Sequence, residues 1–318
     1  MKIFTAAQIH ELDNYTITHE PIKSIDLMER AAKTITRAIM DEWTDRTPMV
    51  IFAGPGNNGG DALAVARLLA EENYKVSVYL FNIHNKLSDD CAANKQRLID
   101  SKRVGHFTEV TLNFDPPELT EDMVVIDGLF GSGLNKPLIG GFASLVKYIN
   151  QCPAKVVSID IPSGLMCEDN TYNIHSNIIR ADLTLTLQQK KLSMMMADCQ
   201  KYIGRLRVLD IRLSKEYIDK TEANCRILEE QDVRRLLMPR DDFAHKGAMG
   251  NALIIAGSYG MAGAAVLATR ACLRSGVGKV TVHTPRRNYL VMQTAVPEAV
   301  MQMDHEETYF SESVDSTD

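Results

Sequence analysis

Residues 49–61 have the sequence MVIFAGPGNNGGD, in which five apolar residues run directly into a segment rich in glycine and asparagine. A short, uninterrupted apolar run is typical of a strand buried on both faces, as strands of parallel sheets are. Glycines after such a strand permit a tight turn into a helix and let a ligand approach the backbone closely. The segment therefore predicts a buried parallel strand that ends in a binding loop.

Strand patterns alternate with helix patterns along the first two thirds of the chain. Further strands are expected at 76–81, 123–126, 155–159, 183–187 and 206–209. Helices are expected at 24–43, 61–72, 89–100 and 142–150, and Thr5 followed by Gln8 is a capping-box pattern. This alternation indicates βαβ units. We therefore predict an α/β fold, a Rossmann-like three-layer αβα sandwich with a mainly parallel sheet.

A polar stretch from Ser214 to Ala244 separates this pattern from a second α/β pattern. Beyond it, strands are expected at 252–256 and 279–283, with a helix at 262–275 between them. We predict two domains, residues 1–220 and 221–318. Two strands and a helix rarely suffice for a stable domain of this class, so we expect the second domain to be incomplete.

Composition excludes several classes of protein. The net charge of -6 argues against a nucleic-acid-binding surface, which is usually basic. No apolar run reaches the ~18 residues of a membrane span, and the polar N-terminus lacks the apolar core of a signal peptide. The six cysteines are scattered without zinc-site spacing, which is typical of reduced thiols in a cytoplasmic protein.

Two further loops carry polar side chains at predicted strand ends. Asp127 opens residues 127–137 (DGLFGSGLNKP), and Asp160 opens residues 160–164 (DIPSG). Because loops at the carboxyl ends of parallel strands form the ligand crevice of such sheets, all three loops are expected to border one site. A partly desolvated Asp160 would suit acid or base chemistry there.

Residue by residue, other interpretations stay open. The first loop would also serve as a tight turn without a ligand. Asp127 could bind a cation, orient the first loop or cap a turn. Lys136 could contact a phosphate or be a solvated surface lysine. Ser163 is interpreted as a ligand or turn residue, because the Gly-x-Ser-x-Gly elbow of a nucleophilic serine is absent.

The first loop also satisfies the Gly-x-Gly-x-x-Gly pattern through Gly54, Gly56 and Gly59. A dinucleotide-binding fingerprint further needs an acidic residue at the end of the second strand, where this chain has Asn82. No Gly-Lys-Ser/Thr follows, so the loop is not a P-loop. A helix start after the glycines still favours phosphate binding, through free N–H groups and the positive end of the helix dipole.

These loops resemble the NAD(P)H-hydrate epimerase family. The resemblance lies in residues 57–61, 127–137 and 160–164, together with Leu12-Asp13 and residues 27–31 (LMERA), and covers about residues 1–215. It implies interconversion of the R and S forms of NADH or NADPH hydrated at C6 of the nicotinamide ring. It also implies a homodimer or larger assembly.

The epimerase resemblance implies roles for particular residues. Hydrated NAD(P)H would be bound by Asn57, Asn58, Gly59, Gly60, Asp61, Gly131, Ser132, Gly133, Leu134, Asn135, Lys136, Pro137 and Asp160. Potassium would be held by Asn58, Asp127 and Ser163. We expect Asp160 and Lys136 to be catalytic, with Asp160 handling a proton at or near the C6 hydroxyl and Lys136 helping to fix the substrate.

The end of the chain resembles the opening of the ADP-dependent NAD(P)H-hydrate dehydratase family, which has a ribokinase-like α/β fold. The resemblance lies in His245-Lys246-Gly247 and in residues 254–258, 260–265 and 273–278. It implies a substrate contact at Ala264 and, for a complete domain, ADP or ATP with Mg²⁺. That family's catalytic segments lie further on, so dehydratase activity of this chain is doubtful.

Two other functions remain open. The first is a conventional NAD(P)-binding oxidoreductase, which Asn82 and the lack of an obvious Tyr-Lys or His-Asp arrangement count against. The second is a non-catalytic nucleotide-binding module. The presence of Asn58, Lys136 and Asp160 argues against a loss of chemistry.

Overall fold

The computed structural model describes residues 1–237 and 239–314. The chain divides into two compact units, Met1–Glu229 and Glu230–Asp318. The division lies inside the polar stretch that separates the two α/β patterns of the sequence.

The first unit alternates strands and helices. Its strands are β1 (Lys2–Ile3), β2 (Met49–Ala53), β3 (Val76–Phe81), β4 (His106–Val110), β5 (Val124–Gly128), β6 (Lys155–Ile159), β7 (Leu183–Leu187), β8 (Arg205–Leu209) and β9 (Cys225–Arg226). Its α-helices are α1 (Ala6–His19), α2 (Ser24–Met40), α3 (Asn57–Glu71), α4 (Asp89–Ser101), α5 (Gly140–Gln151), α6 (Gln200–Ile203) and α7 (Lys215–Lys220). Short 3-10 turns lie at His175–Asn177, Leu192–Met195 and Ala197–Cys199.

In the described residues, a seven-stranded sheet has the order β4-β3-β2-β5-β6-β7-β8. Every neighbouring pair in it is parallel. The chain runs outward from β2 to β4 on one side, then returns to β5 and runs outward to β8 on the other. The direction of winding therefore reverses between β2 and β5, and ligand crevices form at such a reversal.

Strand β2 shows why the sheet carries helices on both faces. Ile51 packs in a cluster with Ile35 of α2 and Leu63 of α3, whereas Phe52 packs in a second cluster with Val146 of α5. Successive side chains of a strand point to opposite faces, so a strand that is apolar throughout needs a cover on each side. The predicted α/β sandwich with a mainly parallel sheet is thereby confirmed.

Helix α1 is held in place by its N-terminal cap and by the strand that precedes it. Thr5 and Gln8 form the expected capping box, in which the Thr5 hydroxyl accepts from the Gln8 N–H and the Gln8 side chain accepts from the Thr5 N–H. Before the helix, β1 pairs antiparallel with β9. The Lys2 ammonium donates to three carbonyl oxygens at or just after the end of α7. The start of the chain is therefore tied to residues more than 200 positions away.

The second unit carries a smaller sheet. Its strands are β10 (Asn251–Ile255), β11 (Lys279–Thr284) and β12 (Val300–Met303), paired in parallel in that order. Its helices are α8 (Glu230–Leu236), α9 (Ala262–Arg274) and α10 (Tyr289–Ala295), with 3-10 turns at Lys246–Met249 and Arg286–Asn288. Strand β12 was not expected from the sequence. Among the described residues, none of the helices in either unit has the length and apolar character needed to span a membrane.

Candidate active site

A cavity of about 650 Å³ lies in the first unit at the carboxyl ends of β2, β5, β6 and β7. Its size is in the range usual for small-molecule sites. The three loops singled out in the sequence border it, and α1 and α2 contribute the side chains of Asp13 and Met28, among others. The cavity lies where the direction of winding reverses between β2 and β5, as ligand crevices do in open parallel sheets.

The glycine-rich loop after β2 is largely the first turn of a helix. Helix α3 begins at Asn57, four residues before the expected start at Asp61. Gly59 is required by close packing, because a Cβ there would lie 1.7 Å from the Gly54 carbonyl oxygen. No side chain caps the helix at Gly56, so its first N–H groups remain available to a ligand.

Asp127 lies inside β5 and is fully buried. Its carboxylate accepts from the Ser163 N–H at 2.9 Å, the Ser163 hydroxyl at 2.5 Å, the Ser158 hydroxyl at 2.8 Å and the Leu129 N–H at 3.3 Å. Burial raises the pKa of this carboxyl, and the hydrogen bonds from Ser163, Ser158 and Leu129 oppose the rise. The loops that follow β5 and β6 are therefore joined through one buried carboxylate.

Two of the three expected metal ligands, Asp127 and Ser163, are hydrogen-bonded to each other here, and the third, Asn58, lies beside the loop that follows β5. The Ser163 hydroxyl lies 2.9 Å from the Phe130 N–H that it accepts from, and Gly131 packs against the Asn58 side chain. Asn58 is buried, and within the described residues its Nδ2 has no hydrogen-bond partner. Amide, carboxylate and hydroxyl groups are hard oxygen donors. One negative charge among them fits a cation of low charge.

Asp160 follows β6 with an unusual backbone conformation, φ 64°. Its Oδ1 accepts from the Lys191 ammonium, from the Leu187 N–H at 3.1 Å and from the Thr186 hydroxyl at 3.5 Å. Lys191 also donates to the Thr186 hydroxyl at 2.8 Å. Within the described residues Oδ2 makes no hydrogen bond to the protein, so this oxygen is left to a ligand.

Two more carboxyl groups line the same cavity, Asp13 of α1 and Asp61 of α3. Burial raises the pKa of Asp13 to about 7, with the charge of Asp160 adding to the rise and that of Lys191 opposing it. Burial also raises the pKa of Asp61 well above its usual value, with further rises from Asp160, Asp13 and Asp90. A cluster of carboxyl groups with shifted pKa values in a cavity is typical of an acid–base site.

A buried amide donor supports a polar ligand. Gln189 lines the cavity and is 4% exposed. Within the described residues, its Nε2 has no hydrogen-bond partner, as is the case for Asn58 Nδ2. A buried N–H group without a partner costs free energy, so both amides point to acceptors that a ligand supplies.

The structure brings most of the expected substrate-binding residues to the cavity. Its lining contains Asn57, Asn58, Asp61, Gly131, Ser132, Gly133, Leu134, Asn135 and Asp160. Gly59 and Gly60 are buried in α3, where a Cβ on Gly60 would lie 2.8 Å from the Met28 sulfur. Lys136 is exposed and Pro137 half-buried in the loop after β5, beyond the residues that line the cavity. Ala264 is an exposed residue of α9 in the second unit.

Two charged residues of the cavity were not assigned roles from the sequence. Asp13 lies four residues after Ile9 and four before Ile17, on the apolar face of α1. A carboxylate in an apolar stripe signals a buried polar function. Lys191 comes shortly after β7, and the rule that favoured Asp127 and Asp160, a charge beyond a parallel strand, also applies to it.

Comparison with known proteins gives the family. Residues 24–193 match a family model described as "YjeF-related protein N-terminus". The chain belongs to the YjeF-related protein family. The match in this YjeF-related chain contains the three loops and Lys191. Residues 252–316 match a second model, described as "NAD(P)H-hydrate dehydratase", so both resemblances expected from the sequence are confirmed.

Relatives of this YjeF-related chain include proteins of two lengths. A "Bifunctional NAD(P)H-hydrate repair enzyme Nnr" from Coxiella burnetii is 31% identical over 296 residues, 93% of this chain and 59% of the relative. An "NAD(P)H-hydrate epimerase" from Limosilactobacillus fermentum is 32% identical over 206 residues, 65% of this chain and 95% of the relative. The chain thus spans less than two thirds of the bifunctional relative.

A solved structure also resembles this YjeF-related chain. The crystal structure of yeast ynu0 gives a TM-score of 0.56 at 20% identity, covering 69% of this chain and 93% of the yeast chain. At that identity the similarity concerns the fold alone. It agrees with the parallel α/β architecture of the first unit.

Proposed function

We propose that this chain interconverts the R and S forms of NADH and NADPH hydrated at C6 of the nicotinamide ring. The observation that carries the proposal is the Asp160 carboxylate, which binds buried Lys191 through Oδ1 and leaves Oδ2 without a protein partner in the described residues. The name of the Limosilactobacillus fermentum relative, an epimerase matched over 95% of its length, supports the choice of reaction.

The substrate would lie along the cavity from the first turn of α3 to Asp160. Uncapped N–H groups at Asn57 and Asn58 suit the phosphates of the dinucleotide. Residues 131–135, which line the cavity, would contact the rest of the dinucleotide. Lys136 is exposed at the outer end of this loop and would meet a phosphate from there. The nicotinamide ring would then reach Asp160.

The chemistry at C6 requires proton transfer. The hydrated carbon bears a hydroxyl group and is bonded to the ring nitrogen, so R and S forms exchange when one bond at this carbon breaks and forms again. Asp160 would take a proton at or near the hydroxyl, since a carboxylate within hydrogen-bond reach can act as a general base. The hydrogen bond from Lys191 holds the carboxylate in place through Oδ1, so that Oδ2 would accept the proton.

The metal part of the proposal is a potassium ion held by Asn58, Asp127 and Ser163. Their amide, carboxylate and hydroxyl oxygens suit a hard cation, and the single carboxylate suits a monovalent one. When bound, the ion would supply positive charge beside buried Asp127. Since the three residues belong to the elements after β2, at the end of β5 and after β6, they would also fix the three loops relative to one another.

The second unit contributes to a further part of the proposal. In a longer protein, its match to the dehydratase model suits dehydration of the S form with ADP or ATP and Mg²⁺. Ala264 of α9 would then belong to the substrate-binding surface of that complete domain. We further propose a homodimer or larger assembly, and a cytoplasmic location, where scattered cysteines such as these stay reduced.

The decisive experiment uses a mixture of R and S NADH hydrates. A separate, active dehydratase with ATP first converts all of the S form to NADH, and this protein is then added with potassium present. We expect a second rise in NADH absorbance, faster than the spontaneous epimerisation measured without the protein. A rate equal to the spontaneous one, from folded protein, would reject the epimerase and favour a non-catalytic nucleotide-binding module.

A further inference from the structure

Three carboxyl groups and one ammonium group line the cavity: Asp13, Asp61, Asp160 and Lys191. The ammonium group bonds to Asp160. Within the described residues, the Asp13 carboxyl makes no hydrogen bond to the protein, although it is half-buried. Among the described residues, the cavity therefore contains one carboxylate with a fixed partner, Asp160, and two carboxyl groups open to a ligand, Asp13 and Asp61.

The carboxyl groups of the cavity lie close enough to affect one another's pKa values. Carboxylates that share a desolvated site cannot all be ionised at neutral pH, so environments that differ push their pKa values apart. Asp13 is faced by Asp160, which follows β6, and by Lys191, which follows β7. Asp61 of α3 and His10 of α1 also line the cavity, and Asp90 of α4 raises the pKa of Asp61. The cavity residues of α2 are uncharged.

Resting on the epimerase activity proposed above, we propose that Asp13 is the second catalytic residue, acting as the acid while Asp160 acts as the base. Lys191 is the positioning residue that keeps these roles apart, because it binds Asp160 and does not bind Asp13. The raised pKa of Asp13, about 7, agrees with an acid that holds its proton up to neutral pH.

Two proton transfers would interconvert the R and S forms. The Asp13 carboxyl gives its proton to the C6 hydroxyl, the C–O bond breaks, and water leaves. The lone pair of the ring nitrogen forms a double bond to C6, so the ring becomes a cation beside the Asp160 carboxylate. Water then adds to the opposite face of C6 and gives a proton to Asp160. The reverse reaction, or exchange with solvent, returns the proton to Asp13.

Asp61 does not suit the acid role. Burial and three neighbouring carboxylates raise its pKa well above the usual value, which favours its neutral form over loss of the proton. A neutral carboxyl group can instead donate a hydrogen bond to the substrate. Asp13, with a pKa close to neutral, has the acid strength that proton transfer favours.

The test measures turnover against pH for the full chain. Samples that start from pure R hydrate are quenched at intervals between pH 5.5 and 9 and separated by chromatography, and the rate without protein is subtracted at each pH. For the unchanged protein we expect kcat to fall as pH rises through about 7, as the acid loses its proton. For Asp13→Asn we expect a loss of about 100-fold or more.

Two matched variants control for the substitutions. Asp26→Asn makes the same change on an exposed residue of α2 that lies outside the cavity, and we expect normal turnover. Lys191→Met removes the charge that lowers the pKa of Asp13, so the falling limb of kcat should move to higher pH. Lys190→Met, next in the chain and absent from the cavity lining, should leave the limb in place.

The outcomes separate this proposal from the proposed function. An unchanged protein without turnover would reject both. An active protein whose kcat does not fall between pH 6 and 8.5, or a folded Asp13→Asn variant within threefold of the unchanged protein, would reject the role of Asp13 alone. If Asp13→Asn does not fold, the profile of the unchanged protein and the shift in Lys191→Met still decide.

Discussion

The Lys191 ammonium group donates a hydrogen bond to Oδ1 of Asp160, and the two side chains are only 1% and 11% exposed. A buried charge is stable only when it is paired and hydrogen-bonded, and Thr186 and Leu187 add further bonds to the pair. Asp160 also has φ 64°, a conformation that is costly for most side chains but more accessible to aspartate. The fold thus accepts local strain to fix one carboxylate at the cavity.

We expect Asp160→Asn to abolish turnover and largely keep substrate binding, because an amide cannot take up the proton but has nearly the same shape. Turnover of R hydrate and calorimetric binding measure the two effects. The substitution leaves the Lys191 charge unpaired, which costs on the order of 3 kcal/mol, so stability has to be followed as well. Undiminished turnover in a folded variant would contradict the role of Asp160.

The raised pKa of Asp13 has a consequence for stability. Between about pH 4, its unfolded value, and about 7, its folded value, the folded protein holds a proton that the unfolded chain releases. Stability therefore decreases as pH rises through this window, by an amount on the order of 4 kcal/mol. The Asp13→Asn variant has no carboxyl group at this position and does not lose this stability. The Tm of the variant minus the Tm of the unchanged protein should therefore be larger at pH 8 than at pH 5. A constant Tm difference would show that Asp13 titrates normally.

Gly59 offers a test of the packing below the site. A methyl group there would lie 1.7 Å from the Gly54 carbonyl oxygen, so Gly59→Ala must displace backbone. We expect a loss of stability of about 1–3 kcal/mol. Gly133→Ala is the matched control, because a Cβ at Gly133 meets nothing within 4 Å, and it should change stability by less than about 0.5 kcal/mol. Equal Tm values for both variants would contradict the packing argument.

The potassium site can be tested without an assay of activity. Thermal unfolding in potassium chloride and in choline chloride of equal ionic strength should differ, since an ion that binds only the folded state stabilises it. Ser163→Ala removes one oxygen ligand and should abolish the difference. Ser144→Ala, on an exposed serine of α5, should keep it. If potassium and choline give the same Tm for the unchanged protein, the proposed site is wrong.

Lys136 is expected to act on substrate binding through its charge. Lys136→Gln should raise KM several-fold, and the effect should shrink at high salt, because interactions of exposed charges are screened. Lys147→Gln removes an exposed lysine of α5 and should leave KM unchanged. A fall in kcat with KM unaltered would instead favour a direct part in the chemistry.

The sequence predicted most of the sheet because its strands are apolar on both faces. Strands β3, β6 and β7 have the expected bounds. The edge strand β4 (HFTEV) was missed, since an exposed edge needs no apolar run. The first loop was expected to end at Asp61, yet Asn57 already begins α3, because glycine and asparagine suggest a loop whenever local propensity is considered alone.

The site was predicted only where polar residues stand in glycine-rich loops. Asp127, Asp160 and Ser163 stood out in this way, and the structure joins the first and third through hydrogen bonds. The partner of Asp160 did not stand out, because Lys191 lies in a segment, QQKKL, that resembles a solvated surface turn. Contacts between residues 31 positions apart depend on the tertiary fold, which spacing along the chain does not encode.

The pairing of β1 with β9 also affects the order in which the molecule is completed during synthesis. The parallel strands from β2 to β8 can add to the sheet one after another as the ribosome releases them, but Ile3 must wait for Cys225. At about 5–20 residues per second, that wait is roughly 10–45 s. Within the first unit, helix α1, which carries Asp13, is therefore secured after the seven-stranded sheet, so a newly made chain holds that sheet before its cavity is closed.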